Sequence, residues 1–409
     1  MDIRTQRTLD RQLGIPLCAA FSLFDGLRRR VWPSSRRTDS PRRILVILLS
    51  EMGSLVLARP MFERLRREHP DAELHVLVFR KNREILDLMG VVPPDRVLTL
   101  EDRTLGRFVR DVWKLLGRFR RLRFDAVIDC ELFARASALL GYLSGAPVRV
   151  GFHPHTQEGL YRGSFINRPV PYNPYRHISK QFLSMAGALR SSSVPLAKDD
   201  LAFDTEGGVT SSPVVDLSDE ESQAARRCFF EDFPVLEGRR LVLIHPGGGA
   251  LPIRAWPLES YVELCKALLD DGCAVGVIGL ASDRAFGEKL TSRCASPRCV
   301  DLTGYTRSVR HLLQIFGCAS LLVANDGGPG HFAPLAGLAS VLLFGPETAA
   351  LYGPLGPKAH TLQSDLPCAP CLTAYNHRLS FCDGDNQCLK RIRPDQVLAK
   401  CRKVLMAQA

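Results

Sequence analysis

Short apolar runs separated by longer amphipathic segments recur along most of the chain. The first run, ILVILL at residues 44–49, is followed by apolar residues at helical spacing and then by a second run at residues 73–79. Uninterrupted apolar runs are typical of parallel strands covered on both faces, and helical spacing between them is typical of crossover connections. The pattern therefore predicts an α/β fold built on parallel sheets.

This alternation occurs twice, and the polar stretch at residues 191–212 separates the two series. The predicted strands are residues 44–49, 73–79, 96–100, 125–130 and 147–152, then residues 241–245, 273–280, 299–304, 320–326 and 340–345. We predict two Rossmann-like domains facing a cleft, at residues 42–205 and 206–393. A basic extension at residues 1–41 precedes them, a C-terminal helix at residues 394–409 follows, and residues 154–174 are predicted to form a loop over the cleft.

The N-terminal extension contains a predicted short helix in which Leu17, Phe21, Phe24 and Leu27 lie beside three arginines at residues 28–30. Such a helix either docks on the protein's own surface or binds weakly to a membrane, and the sequence leaves both alternatives open. No apolar run reaches the roughly 20 residues that span a bilayer. The extension also lacks the pattern of a cleavable secretory signal, and the chain has 13 cysteines, an odd number, so we expect a reducing cytoplasm.

The net charge of +11 favours polyanionic partners such as a phosphorylated substrate or an acidic membrane face. A predicted helix at residues 105–121 adds to this charge, because arginines surround its apolar stripe. That basic face is either simply solvated or suited to an acidic glycolipid or membrane surface. We expect no nucleic-acid partner, since no module combining aromatic and basic residues is present.

Two glycine-rich stretches follow predicted strands of the second domain. In VANDGGPGHFAPLAG, residues 323–337, Asp326 lies at the end of a predicted strand. Gly327 and Gly328 follow it and allow close approach of a ligand, just before a predicted helix that contains His331. In HPGGGALPIRAWP, residues 245–257, three glycines precede Arg254, a cation able to neutralise a diphosphate. Together the two stretches predict a diphosphate site.

The sequences HPGGG, R-x-W-P, NDGGPGH and LFGP resemble glycosyltransferase family 9, which includes the lipopolysaccharide heptosyltransferases, and the resemblance extends from Arg42 to the C-terminus. It implies a GT-B fold and inverting, metal-independent transfer from a nucleotide-activated sugar, with ADP-heptose or a similar donor, no required cofactor and an acidic glycolipid or glycan acceptor. The alternative is a catalytically inactive protein of the same fold that binds a sugar nucleotide or glycolipid.

Carried over onto this chain, the resemblance implies that Arg254 contacts the donor diphosphate and stabilises it as it leaves. The other implied donor-binding residues are His245, Gly247, Gly248, Asp283, Asp326, Gly327, Gly328 and His331. Gly327 stands where the family has Ser or Thr, so backbone N–H groups must replace one hydroxyl donor. Asp283 is the loosest of these matches, and a helix-start Asp is the competing interpretation.

The loop SEMGS at residues 50–54 departs from the family, which has an Asp as proposed general base where this chain has Ser54. Inverting transfer needs a group that takes the acceptor proton, and Ser is not a base at neutral pH. We therefore predict Glu51 as the base and Gly53, Ser54 and Glu131 as acceptor-side residues, with Glu131 a second candidate base. Alternatively, Ser54 is a helix N-cap and the base is absent.

A cysteine cluster lies near the C-terminus. Cys368 and Cys371 form a C-x-x-C pair, and Cys382 and Cys388 follow. Disulfides and free thiols are the alternatives to a metal site, and for a cytoplasmic chain we predict a structural zinc without a catalytic role.

Overall fold

The computed structural model describes residues 3–31, 40–49, 51–132, 134–152, 161–191, 215–249, 251–373 and 379–408. The described residues fold into two compact units, a first unit up to residue 191 and a second unit from residue 215. Each unit contains one six-stranded sheet.

The sheet of the first unit is entirely parallel, with strand order β3-β2-β1-β4-β5-β6. Its strands are β1 (Arg43–Ile47), β2 (Glu73–Phe79), β3 (Val97–Leu100), β4 (Ala126–Asp129), β5 (Val148–Phe152) and β6 (Arg168–Val170). The chain moves outward from β1 to β3 and then returns to add β4 on the other side of β1. Ligands of open parallel sheets bind at such a reversal, beyond the carboxyl ends of the two central strands.

Helices cover both faces of this sheet. They are α1 (Ile3–Val31), α2 (Met52–Leu57), α3 (Arg59–Glu68), α4 (Arg83–Met89), α5 (Leu105–Leu122), α6 (Arg135–Leu143) and α7 (Ile178–Ala188). Phe119 of α5 and Leu140 of α6 belong to one buried cluster over Leu45 and Ile47 of β1. Because residues two apart on a strand point to the same side, α5 and α6 cover the same face of the sheet.

Helix α1 docks on α6 through its buried side. The Asp10 carboxylate accepts hydrogen bonds from the backbone N–H groups of Arg135 (2.8 Å) and Ala136 (2.9 Å). Further along, the buried Asp25 carboxylate pairs with the buried Arg149 guanidinium at 3.1 Å. Arg149 also donates to the carbonyls of Phe165 and Ala146, so this charge is fully enclosed by polar partners.

The second unit repeats the same topology, with strand order β12-β11-β10-β7-β8-β9. Its strands are β7 (Leu241–His245), β8 (Ala274–Val277), β9 (Cys299–Asp301), β10 (Leu321–Asn325), β11 (Ser340–Phe344) and β12 (Ala359–Gln363). Its helices are α8 (Asp219–Asp232), α9 (Leu258–Asp270), α10 (Arg284–Cys294), α11 (Val309–Phe316), α12 (Gly328–Phe332), α13 (Ala349–Tyr352), α14 (Gln387–Lys390) and α15 (Pro394–Met406). The reversal here lies between β7 and β10.

The prediction of two α/β domains with parallel sheets is confirmed, and each of the ten predicted strands contains an observed one. Two strands were missed, β6 and β12, because edge strands need no continuous apolar run and β6 even contains Pro169. The prediction that residues 154–174 form only a loop is therefore wrong, since β6 lies among them. Residues 153–160 of that segment lie outside the described residues.

The N-terminal helix is 29 residues long, so the prediction of a short helix is wrong. Pro16, Gly14 and Gly26 lower its intrinsic helix propensity, and tertiary contacts with α6 outweigh that cost. Across the described residues, no helix combines the length and the apolar character needed to cross a membrane.

We expect the Asp25→Ala substitution to destabilise the first unit by about 3–5 kcal/mol, because it leaves the buried Arg149 guanidinium without its carboxylate. Urea denaturation measures the change in free energy of unfolding, and limited proteolysis detects release of α1. The matched control is Asp87→Ala, which breaks the half-exposed ion pair with Arg83 and should cost less than about 1 kcal/mol. Equal losses in the two variants would show that the Asp25 pair does not hold α1.

Candidate functional site

The loops after β7 and β10 are joined by one buried side chain, Asn325. Its amide nitrogen donates to the carbonyls of Pro246 (2.8 Å) and Gly247 (3.2 Å). Its amide oxygen accepts from the backbone N–H of Trp256 at 3.0 Å and from the Tyr261 hydroxyl at 2.9 Å. Asn325 therefore fixes the glycine-rich loop after β7 against the start of α9.

Arg254 lies between two buried carboxylates at this edge of the sheet. Its Nη2 atom is 2.6 Å from Oε2 of Glu347, and its Nε atom is 3.3 Å from Oδ2 of Asp326. The Nε and Oδ2 atoms form an ion pair without hydrogen-bond geometry, and among the described residues both are buried without a hydrogen-bond partner. A guanidinium has five N–H donors, so Arg254 can hold these carboxylates and still donate to a bound anion.

His245 ends β7 beside this cluster. Burial lowers the pKa of His245 below its ordinary value, although Asp283 opposes the shift, so the ring is neutral at pH 7. Its Nδ1 atom is buried without a hydrogen-bond partner in the described part of the chain. A neutral imidazole can accept or donate one hydrogen bond to a ligand but cannot balance its charge.

The glycines of the two loops differ in whether a larger side chain would fit at their positions. A Cβ atom at Gly248 would lie 2.7 Å from the carbonyl oxygen of Leu251, so only glycine fits there. Gly247 and Gly327 have no such clash, and Gly327 is in extended backbone that any residue adopts. Gly328 begins α12, whose Gly328–Phe332 segment also contains the buried His331.

Asp283 lies at the end of a single helical turn, Ala281–Asp283, after β8. Its Oδ2 atom accepts a hydrogen bond from the backbone N–H of Leu280 at 2.8 Å and so closes that turn. This geometry matches the interpretation of Asp283 as a helix-start residue.

In the first unit, the loop that leaves β1 is held from two sides at Leu49. The Leu49 backbone N–H donates to Oε1 of Glu131 at 2.6 Å, and its carbonyl accepts from Nδ2 of Asn82, also at 2.6 Å. Glu131 is buried and follows β4. Glu131 is thus brought to the base of the loop that carries Glu51, at the reversal between β1 and β4.

A buried guanidinium lies directly behind Glu131. Arg162 donates to the carbonyl of Glu131, to the Asp129 carboxylate and, at 2.9 Å, to the Ser137 hydroxyl. Burial raises the pKa of Asp129 to about 6, while Arg162 acts in the opposite direction. The Arg162 guanidinium is the cation that pairs with Asp129 in this buried position.

Glu51, Gly53 and Ser54 lie at the start of α2. Glu51 is exposed and occupies the N-cap position without capping through its side chain, whereas Gly53 and Ser54 lie inside the first turn and are half-buried. The interpretation of Ser54 as the N-cap is therefore wrong. Glu51 itself lies at the N-terminal boundary of α2, where its side chain is exposed.

The predicted zinc site at Cys368, Cys371, Cys382 and Cys388 is not supported. Among the described residues no group of His, Cys, Asp or Glu is arranged to hold a metal ion. The thiol of Cys371 lies 3.2 Å from the Ser380 hydroxyl, and that of Cys382 lies 3.7 Å from Asn386. All 13 cysteines are free thiols, and Cys388 is buried in the apolar core of the second unit.

Four residues of these two sites were missed by sequence reasoning: Asn325, Glu347, Asn82 and Arg162. Asn325 immediately precedes Asp326, and Glu347 immediately follows LFGP. Both therefore lie at the ends of predicted strands, a position that could have identified them as site residues. Asn82 and Arg162 lie far in sequence from Leu49 and Glu131, and only the fold brings them together.

Comparison with known proteins places this geometry in a family. The family model described as "Glycosyltransferase family 9 (heptosyltransferase)" matches residues 112–379. The chain is 24% identical over 385 residues to lipopolysaccharide heptosyltransferase 2 of Salmonella typhimurium, covering 89% of this chain and 98% of that protein.

Solved structures agree in fold. The structure of Escherichia coli ADP-heptose lps heptosyltransferase II has a TM-score of 0.65 and 22% identity, and the comparison covers 90% of this chain and 99% of that one. A family 9 glycosyltransferase from Veillonella parvula has a TM-score of 0.69 and 17% identity, covering 91% and 100%. The predicted GT-B class of α/β fold is therefore confirmed, and the chain belongs to glycosyltransferase family 9 and is a glycosyltransferase.

Proposed function

We propose that this enzyme transfers heptose or a related sugar from a nucleotide-sugar donor, ADP-heptose or similar, to a lipopolysaccharide-type glycan acceptor, with inversion and without a catalytic metal. The heptosyltransferases to which the chain is similar support the sugar and the acceptor. The observation that carries the proposal is the position of Arg254, whose guanidinium lies with Asp326 and Glu347 at the reversal between β7 and β10.

On the donor side, the leaving group is a nucleoside diphosphate whose negative charge grows as the sugar departs. Arg254 would donate hydrogen bonds from its remaining N–H groups to this diphosphate, and we propose that these donors, with backbone N–H groups of the loop after β10, take the place of a metal ion. Gly327 and Gly328, with no side chains in the way, would offer backbone N–H groups to the phosphates. His245, Gly247, Gly248 and His331 would line the same edge, and Asp283 would approach the nucleoside from β8.

On the acceptor side, Glu51 would take the proton of the attacking hydroxyl. Its exposed position at the N-cap of α2 suits a base that meets substrate, whereas the Glu131 carboxylate is buried and accepts a backbone hydrogen bond. Glu131 then acts as a positioning residue for the loop at residues 49–54, in which Gly53 and Ser54 would contact the acceptor.

We place this activity in the cytoplasm, because 13 free thiols suit a reducing compartment. A purely binding role, with the fold kept and catalysis lost, is not favoured, since the chain belongs to a transferase family and retains a carboxylate in the loop after β1.

The first prediction separates the two candidate bases. Glu51→Gln should lower kcat by about 10²–10⁴-fold with donor affinity unchanged, because only the proton acceptor is lost. Glu131→Gln should retain most of its activity, because the amide oxygen can still accept from Leu49. Steady-state transfer to heptose-free lipopolysaccharide measures both, and Glu63→Gln on α3 is the exposed control. Strong inactivation by Glu131→Gln with an active Glu51→Gln would reverse the assignment.

The second prediction concerns how Arg254 is oriented. Glu347→Ala should raise the donor KM by about tenfold or more, because it removes a charge-assisted hydrogen bond to the guanidinium. Glu347→Gln should restore much of the affinity, since its amide oxygen still accepts from Nη2. If both variants bind the donor as the wild type does, Glu347 does not position Arg254.

The third prediction concerns the donor itself. A nucleotide sugar present at 100 times its Kd should stabilise the native protein by about 2.7 kcal/mol, seen as a rise in Tm. The rise should persist in EDTA and should be smaller with the nucleoside monophosphate, which lacks the second phosphate. A rise that EDTA abolishes would contradict metal-independent donor binding.

A further inference from the structure

The outer side of α1 is an exposed apolar stripe. Leu13, Leu17, Phe24, Leu27 and Val31 recur at helical spacing and expose 58%, 44%, 60%, 52% and 64% of their surface. Residues at such intervals lie along one face of a helix, and this face is turned away from α6, against which Gly14 and Cys18 pack. Monomeric proteins rarely leave so continuous an apolar surface in water.

Acidic and exposed basic side chains lie on different sides of α1. Its two acidic residues, Asp10 and Asp25, both point toward the body of the unit, where they hold Arg135 and Arg149, and Asp25 also pairs with Arg29 of the same helix at 2.6 Å. The charged side chains left exposed on the described part of the helix are arginines: Arg11, Arg28, Arg29 and Arg30. The outer face is therefore apolar and positively charged, without exposed acidic groups among residues 5–31.

Helix α5 shows the same arrangement. Leu105, Val109 and Trp113, spaced four residues apart, are 50%, 45% and 72% exposed. Its one acidic residue, Asp111, is buried and pairs with Arg80 at 3.3 Å. The exposed basic residues on or beside α5 are Arg103, Arg107, Arg110, Lys114, Arg118, Arg120, Arg121 and Arg123. Trp with neighbouring basic residues is typical of a membrane–water interface.

The two helices belong to one side of the first unit. Helices α5 and α6 share a cluster on one face of the sheet, and α1 packs on α6. We propose that the outer faces of α1 and α5 bind the surface of an anionic lipid bilayer, with both helices lying along it. The stripe from Leu13 to Val31 contains 19 residues, and the 18 steps between its ends correspond to roughly 27 Å at 1.5 Å per residue.

The positive charge of the two outer faces favours an anionic lipid surface over a second copy of the chain as the partner. Two copies that met through these faces would bring arginines against arginines with no exposed acidic partner on either helix, whereas anionic headgroups attract each Arg by about 1 kcal/mol. The proposal concerns where the protein lies and depends only on α1 and α5. A test of the proposed transfer reaction therefore neither supports nor contradicts it.

The test is flotation of the full chain with vesicles, in the absence of substrates. Wild type should bind phosphatidylcholine vesicles that contain phosphatidylglycerol, bind pure phosphatidylcholine weakly, and be released in part by high salt. Phe24→Gln with Leu27→Gln should lower the partition coefficient by about tenfold or more, because two apolar anchors are lost. Arg28→Gln with Arg30→Gln should weaken only the binding to anionic vesicles, and Trp113→Gln tests the contribution of α5.

The control is Leu280→Gln, at an apolar side chain that is 73% exposed in the second unit. It should bind as the wild type does, and unchanged Tm values show that each variant is folded. Equal binding by wild type and the Phe24/Leu27 variant would overturn the proposal, as would equal binding to neutral and anionic vesicles. A dimer in sedimentation velocity that the Phe24/Leu27 variant abolishes, without vesicle binding by the wild type, would instead identify a contact between copies.

Discussion

The rest of the structure depends on one constraint, that both faces of each parallel sheet are buried. Along β1 and β7 nearly every side chain is enclosed, so polar and charged groups can meet a ligand only where the strands end. The reversal of strand order then separates the loops after β1 and β4, and after β7 and β10, enough to leave room between them. The candidate site of each unit lies at its own reversal of strand order.

Several buried charges in both units lie beside a charge of opposite sign. Arg254 pairs with Asp326 and Glu347 in the second unit, and Arg162 pairs with Asp129 in the first. The same rule operates at α1, where acidic groups face inward. Because the acidic residues of α1 and α5 face inward and their exposed charged residues are basic, positive charge is concentrated on the outer faces of these two helices.

The sequence predicts strands and helices well wherever burial produces a periodic pattern of apolar residues. Ten strands and the helix at Leu105–Leu122 were predicted closely, and so were the loops that carry Arg254 and Asp326. The sequence does not predict local structure that is stabilised by residues distant along the chain. The length of α1 depends on Arg135 and Arg149, and the fixation of Leu49 depends on Asn82 and Glu131. A half-buried edge strand such as β12 leaves no apolar run to read.

The carboxylates around Arg254 also bear on turnover. Because Asp326 and Glu347 already hold the Arg254 guanidinium, this side chain loses little conformational freedom when an anion binds. In the proposed reaction, the cation is therefore in place before the bond between sugar and diphosphate breaks. The same two carboxylates would return the guanidinium to one position after each turnover, so the proposed site would be ready for the next donor.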